Sequence, residues 1–259
     1  MDPQQQAIAE EFDRYNESYD DTVNRAIAFS GQKVESFTRA KADDLLRTIA
    51  AHFGSPRQLS LLDVGCGIGN YHPLLAPAVG SVSGVDVSGA CIAKAKERNP
   101  TVSYAAYDGD HLPYPDQQFD VTFCICVLHH VPPERWPQFV SEMRRVTRAG
   151  GLVVIYEHNP KNPLTRKVVR DCEFDRDAVL LTMTQTRQLL SAAGCTDVKT
   201  NSILTLPPMG GFIEKLDGLF AKLPFGSQYR AEGRAGMTET SPHPAAIAQP
   251  SLRSHPNAR

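Results

Sequence analysis

The sequence is short of everything that would assign it to a membrane, to the secretory route or to nucleic acid. No apolar run comes near the roughly 20 residues that span a bilayer, so no membrane helix is expected. Its opening, Met1-Asp2-Pro3-Gln4-Gln5-Gln6, has neither the basic nor the apolar region of a secretion signal, and the expected location is the cytoplasm. A formal net charge of −2 leaves no basic excess to neutralise phosphates, which speaks against DNA or RNA as a partner. The cysteines Cys66, Cys91, Cys124, Cys126, Cys172 and Cys195 are scattered, without C-x-x-C spacing and several within apolar stretches. Neither a disulfide framework nor a bound metal is therefore expected.

What is present is enough apolar residue, 41% against 22% charged, to bury one full core, and a single domain with additions is expected. The most informative stretch is Leu61-Leu62-Asp63-Val64-Gly65-Cys66-Gly67-Ile68-Gly69-Asn70. Leu59, Leu61, Leu62 and Val64 make the short apolar run that a parallel strand covered on both faces requires, and three alternating glycines end it abruptly. Such glycines let the backbone turn sharply and lie against a ligand with no Cβ in the way, while the amides opening the next helix can meet a polar group. The competing reading is the dinucleotide fingerprint G-x-G-x-x-G, which wants its third glycine where Asn70 stands. Asp63, two residues before the first glycine, would repel a diphosphate and suits an ammonium group.

The run Asp63-Val64-Gly65-Cys66-Gly67-Ile68-Gly69 resembles the first motif of class I S-adenosylmethionine-dependent methyltransferases. A second stretch, Asp108-Gly109-Asp110-His111-Leu112-Pro113-Tyr114-Pro115-Asp116-Gln117-Gln118-Phe119-Asp120, is similar to the D-A-E-x-L-P-F-x-D-x-x-F-D segment of the small-molecule, type 11 members. The resemblance covers roughly residues 60 to 160. It implies an α/β, Rossmann-like, doubly wound fold with a seven-stranded, mostly parallel sheet in the order 3-2-1-4-5-7-6, the last strand antiparallel. It also implies S-adenosyl-L-methionine as cofactor and S-adenosyl-L-homocysteine as product.

Along the chain, residues 4–53 read as helical, with Phe12, Tyr15 and Tyr19 at helical spacing and a second helix carrying Val34, Phe37, Leu45, Leu46, Ile49 and Phe53. Ordinary packing explains such a stripe. The pattern from Phe12 to Asp20 also resembles the lids of relatives, which makes residues 1–55 an N-terminal lid, with Tyr19 against the cofactor and Tyr15 lining the acceptor pocket. Residues 56–234 then form the methyltransferase domain. Residues 235–259, rich in Pro, Ser, Ala, His and Thr without periodicity, are expected to be a disordered tail.

Within the domain a helix is expected over 70–78 and a strand over Ser81–Asp86, followed by Val87. Asp86 stands where a Rossmann-like sheet places the carboxylate that holds a ribose, and Ser88 is the better cap for the next helix. Strand three, Val102–Tyr107, leads to Asp108 and Gly109, whose carboxylate and amide match the donor and acceptors of an adenine edge. Strand four, Asp120–Val127, passes through Cys126 into Leu128-His129-His130-Val131-Pro132, with no N-P-P-Y clamp of the kind that nucleobase methyltransferases carry. The spacing predicts a helix over Pro133–Arg148 stopped by Gly150-Gly151, then strand five, Leu152–Tyr156, delivering Glu157, His158 and Asn159. Lys161, Arg166, Lys167 and Arg170 make a small basic cluster, either a solvated face or an attraction for an anionic acceptor. A helix over Thr182–Ala193, a strand over Thr196–Leu204, an amphipathic helix over 209–223 and a last strand over Gln228–Gly233 complete the sequence-based expectation.

In a doubly wound sheet ligands bind outside the carboxyl ends of the strands, and every candidate falls at such an end. The expected cofactor residues are Asp63, Gly65, Cys66, Gly67, Gly69, Asp86, Val87, Asp108, Gly109, Cys126 and Tyr19. The expected acceptor residues are Tyr15, Glu157, Asn159 and Arg166. An amine acceptor needs only its neutral form, whereas a hydroxyl is helped by a base such as His129, His130 or His158. O-methylation of a small molecule by a monomer or homodimer is the favoured reading. N- or C-methylation, an NAD-type oxidoreductase on the same sheet, and a non-catalytic protein retaining the fold are the alternatives.

Overall fold

In the computed structural model, which describes Glu10 and residues 33–172, 175, 177–204 and 225–236, seven strands form one sheet. They are β1 (Ser60–Val64), β2 (Ser81–Asp86), β3 (Ser103–Ala106), β4 (Phe119–Ile125), β5 (Thr147–His158), β6 (Cys195–Ile203) and β7 (Gln228–Ala235). Their order is β3-β2-β1-β4-β5-β7-β6, the order expected from the sequence. Strands β1 to β5 pair in parallel, and β7 runs antiparallel between β5 and β6. The chain therefore winds outward from β1 through β2 to β3, then returns to lay β4 on the opposite side of β1. That reversal opens a crevice at the carboxyl ends of β1 and β4.

Side chains alternate across the sheet as the pleat demands, and each face has its own core. Leu62, Val64, Cys124, Val153 and Ile155 pack with Trp136, Phe139, Val140, Met143 and Val146 of α4 (Trp136–Val146) and with Leu190 of α6 (Met183–Ala192). Leu61, Val121, Phe123, Leu152, Val154 and Tyr156 pack on the other face against Ala42, Leu45 and Ile49 of α1 (Val34–Phe53) and Leu75 of α2 (His72–Leu75). Asp44 ties α1 down further, accepting from the Tyr156 hydroxyl at 2.9 Å and from Arg230 at 2.6 Å. The second expected helix is thus part of the core. Tyr15, Tyr19, the 209–223 helix and the tail beyond Gly236 lie outside the described residues, and Ala235 belongs to β7.

Several strand ends differ from expectation, β5 beginning at Thr147 rather than Leu152, and two helices differ for a local reason. After the glycine loop only His72–Leu75 is helical. Pro73 is accommodated in the opening turn, but Pro77 has no N–H with which to continue the ladder. Further on, the Pro133 helix begins as a 3-10 turn, Pro133–Arg135, and α4 ends at Val146 rather than Arg148. Thr147 is already extended and opens β5, which shifts register against β4 between Phe119 and Val121. Gly150-Gly151 serves that bulge and does not stop the helix: Gly150 has φ +74°, and a Cβ on Gly151 would lie 2.7 Å from the Asp120 carbonyl oxygen. The Thr182 helix keeps its expected signature, a capping box in which Thr182 and Gln185 exchange side-chain and backbone bonds.

Candidate active site

The glycine loop is held from below by β2 and from beside by β4. The amides of Gly65 and Cys66 both donate to the Val85 carbonyl, at 2.8 and 2.9 Å, which folds the loop over the end of β2. Gly65 has φ +76°, and a Cβ there would sit 2.6 Å from both γ-carbons of Val127. Gly67, at φ +51°, has nothing within 4 Å of the place a Cβ would occupy, so this one position of the loop faces open space.

Asp86 borders that space. One carboxylate oxygen accepts from the Gly67 amide at 2.8 Å and the other from the Ser88 amide at 2.9 Å, with the Val87 amide also acting on the group. The residue is only 8% exposed, and burial pushes its carboxyl up to about 6, against the pull of the Ser88 and Gly67 amides. Ser88, as the sequence indicates, is the cap of α3 (Gly89–Arg98), accepting from the Cys91 amide. Val87 follows Asp86 between strand and cap, and Cys66 is buried with its thiol toward the Gly67 carbonyl.

Asp63 is placed differently from its sequence-based role. It is 2% exposed, and its carboxylate lies 3.2 Å from His72 Nε2. Since a carboxylate can only accept, Nε2 carries the proton and Nδ1 takes one from the Tyr104 hydroxyl, 2.5 Å away. This Asp63–His72–Tyr104 chain forms the floor of the loop; a Cβ on Gly69 would strike the same tyrosine at 2.5 Å and His72 at 3.2 Å. Burial raises the Asp63 carboxyl, with His72 opposing. At the end of β3, Asp108 is exposed and accepts from the amides of Asp110 and His111, which hold its carboxyl below the usual range, and Gly109 turns the chain at φ +83°.

Beyond β4 the imidazoles gather. Leu128–His130 is a 3-10 turn, and Glu157, arriving fully buried at the end of β5, accepts from the amides of Val127 at 3.1 Å and Leu128 at 2.7 Å and from His129 Nδ1 at 2.5 Å. Glu157 thus positions the turn after β4. His129 Nε2 is 3.4 Å from Asp175, and His130 Nε2 is 3.5 Å from the same oxygen. The His130 and His158 rings stand 4.2 and 5.1 Å from that of His129. Burial disfavours charge on His129, but Glu157 and Asp175 outweigh it and raise the group well above the usual range. Burial and the His129 charge push His130 down to about 3.

Asn159 is also structural. It is buried, donates to the Gly226 carbonyl at 2.8 Å and accepts from the Lys161 amide, clamping the end of β5 to the approach to β7. Arg166 is exposed on α5 (Pro163–Asp171), whose neighbouring Lys167 and Arg170 pair with Asp171.

Cys126, at φ +57°, brings in residues that sequence patterns did not single out. Lys41 Nζ reaches it from α1 at 3.8 Å, lying 5.7 Å above the Tyr71 ring, and Gln228 Nε2 approaches it at 3.7 Å from β7. Burial opposes ionisation of this thiol, yet Lys41 and His158 overcome it and bring Cys126 below the ordinary thiol range. Cys126 in turn raises His158 against the effect of burial. Lys41, Asp175 and Gln228 come from elements distant in sequence from the motifs, whereas His72 and Tyr104 lie just beside them. The one local signal was a lysine within the apolar stripe of α1.

The family model described as a methyltransferase domain matches residues 62–155. A 2-methyl-6-phytyl-1,4-hydroquinone methyltransferase of Synechocystis is 33% identical over 111 residues, which are 41% of this chain and 34% of that protein. The chain thus spans about a third of that relative's length. A phosphatidylethanolamine N-methyltransferase of Cereibacter sphaeroides is 33% identical over 153 residues, 56% of this chain and 72% of that protein. Among solved structures, phosphoethanolamine N-methyltransferase 1 of Haemonchus contortus, in complex with phosphoethanolamine and S-adenosylhomocysteine, shares the fold with a TM-score of 0.65 at 18% identity, over 89% of this chain and 48% of that one. An S-adenosylmethionine-dependent methyltransferase of Thermotoga maritima does so with a TM-score of 0.64 at 17% identity, over 88% and 99%. A sheet wound in this order, a glycine loop closed over β2 with acids beside it, and one-third identity along most of the Cereibacter protein have a common explanation: the chain belongs to the S-adenosylmethionine-dependent methyltransferases.

Proposed function

We propose that this protein binds S-adenosylmethionine at the ends of β1, β2 and β3 and methylates a small-molecule hydroxyl at the ends of β4 and β5. The observation that carries the cofactor reading is the open space at Gly67 beside the buried Asp86 carboxylate. Vicinal hydroxyls would use the acceptor capacity left on the Asp86 carboxylate, and would offset the cost of burying that charge. Gly109 and Asp108 are the groups for an adenine edge, one backbone amide and one carboxylate oxygen beyond those bound within the turn. Asp63 would act through His72, fixing the loop whose backbone borders the ligand. Val87 and Cys126 flank the same crevice.

When bound, S-adenosylmethionine supplies an electrophilic methyl group on a cationic sulfonium. The chain's own work is alignment and the exclusion of water, and for a hydroxyl acceptor the removal of a proton. His129 is unsuited to that last task because both its nitrogens face carboxylates. His158 faces Cys126 and Gln228 instead, and is the imidazole we assign to the acceptor proton.

Titration of the full chain with S-adenosylhomocysteine and with NADH, followed by thermal shift, tests the cofactor reading: stabilisation by the former is expected, and stabilisation by NADH alone would overturn it. Incubation with methyl-labelled cofactor and fractionated extract then identifies the acceptor, and label found only on nitrogen or carbon would remove the hydroxyl assignment.

A further inference from the structure

The turn after β4 carries an arrangement that methyl transfer by displacement does not require. His129 Nε2, His130 Nε2 and an Asp175 oxygen converge so that these three atoms lie within 4.8 Å of one another. Asp175 is brought there by backbone bonds: its amide donates to the Cys172 carbonyl at 3.2 Å, its carbonyl accepts from Ala178 at 3.1 Å, and the Val179 amide donates to the His129 carbonyl at 2.9 Å. The acid thus sits in a local turn that the Val179 amide ties to His129.

Three features separate this cluster from an ordinary ion pair. The first is distance. A charge-assisted imidazole–carboxylate bond closes to about 2.7–2.9 Å, and His129 makes such a tight contact on its other nitrogen, 2.5 Å from Glu157. The two Asp175 separations, 3.4 and 3.5 Å, stay open. Bonds of about 2.0–2.2 Å to a central ion set neighbouring ligand atoms about 3.4 Å apart in a tetrahedral shell. The second feature is support behind the ligand. Glu157 accepts from His129 Nδ1 and is itself fixed by the Val127 and Leu128 amides, which aims Nε2 at the centre of the cluster, as an outer carboxylate does for a metal-bound histidine. The third is burial. The His129 side chain is 1% exposed, while those of His130 and Asp175 are 17% and 13%, so the cluster is buried at one ligand and partly accessible at the other two.

We propose that His129, His130 and Asp175 bind a divalent first-row transition metal ion, held through two imidazole nitrogens and one carboxylate oxygen with its remaining positions open. That donor set suits Zn²⁺, Co²⁺, Mn²⁺ or Fe²⁺ better than Mg²⁺ or Ca²⁺, which prefer oxygen. The turn that carries these ligands follows β4, at the carboxyl end of the sheet assigned to the acceptor. Resting on the proposed methyl transfer, an acceptor oxygen is the group the open positions would take, and an ion there would ease loss of its proton. The metal site itself does not depend on that reading.

The test uses the full chain, freed of affinity-tag histidines, stripped with chelator and titrated with Co²⁺. A single equivalent should bind and develop visible ligand-field bands. Asp175→Asn and His130→Gln, both conservative and at partly exposed side chains, should each weaken binding at least about tenfold and remove or displace the bands. Absence of bands in the unaltered chain, or identical titrations in both variants, overturns the assignment. S-adenosylhomocysteine binding is measured on the same stripped samples. Its failure with cobalt bands intact would strike the cofactor reading alone, and its persistence without bands would strike the metal site alone.

Discussion

Replacing Asp86 with asparagine should weaken nucleoside binding and, at neutral pH, relieve the free protein of a cost it otherwise carries. The Asp86 carboxyl has an ordinary value of 3.8 and stands at about 6 in the fold, chiefly through burial. A group raised in the folded state contributes most to stability below its unfolded value, and that contribution is lost as pH rises through the folded one. At about 1.4 kcal/mol per pH unit, the interval from 3.8 to about 6 corresponds to roughly 3 kcal/mol. The substituted amide cannot ionise, so the two proteins' unfolding free energies should diverge with pH. Between pH 4.5 and 7.5 the Asp86→Asn protein should gain about 2 kcal/mol on the wild type, whatever constant offset arises from the amides of Gly67 and Ser88. Urea denaturation at several pH values measures this directly. Calorimetry should show the opposite sign for the ligand. Loss of a charged acceptor costs about 1.5–3 kcal/mol per hydrogen bond, so S-adenosylhomocysteine affinity should fall at least about tenfold. In the wild type, that affinity should also decline as pH falls through about 6, where the carboxylate is protonated. Stability curves that stay parallel, or an affinity unchanged by the substitution, would refute the idea that a buried charge is held ready for a ribose.

Two glycine substitutions should separate packing from binding. Gly65→Ala forces a Cβ to 2.6 Å from Val127 at positive φ and should cost about 2–4 kcal/mol in urea denaturation. Gly67→Ala meets no protein atom within 4 Å, so it should cost only the roughly 1–2 kcal/mol of its backbone conformation while abolishing S-adenosylhomocysteine binding by calorimetry. Lys41→Met removes the cation that lowers the Cys126 thiol, so the pH midpoint of Cys126 alkylation should move upward; an unmoved midpoint would show that His158 suffices.

The parts of the fold legible in the sequence are those set by neighbours along the chain. Strands buried on both faces must be apolar throughout, which exposed β1, β4 and β5. Ser88 and the Thr182–Gln185 box follow from capping chemistry that spans three residues. Gly150-Gly151 misled because a glycine pair after a helical stretch reads as a stop, whereas its cause lies across the sheet, in the Asp120 carbonyl. The site divides in the same way. Asp86 and the glycines declare themselves by position after a strand. That Asp63 is bound to His72, itself bound to Tyr104, that Glu157 turns inward onto three donors, and that Asp175 reaches His129 are facts of side-chain convergence, with no periodicity to signal them.

The two halves of the crevice are one packed object, and Gly65 is where they meet. Glu157 fixes the Val127 and Leu128 amides, these fix the imidazole turn, and the Val127 side chain lies against the missing Cβ of Gly65. Gly65 hangs in turn from Val85, the residue before Asp86. A displacement of the turn after β4 has no slack to absorb it before it reaches the loop over β2, because close-packed interiors transmit shifts of a few tenths of an ångström. In the proposed reading, the carboxylate that holds the turn would also set the distance between acceptor and nucleoside, the quantity on which an in-line transfer depends most steeply. A buried glutamate serves that purpose better than an exposed one could, since its three donors leave it a single position.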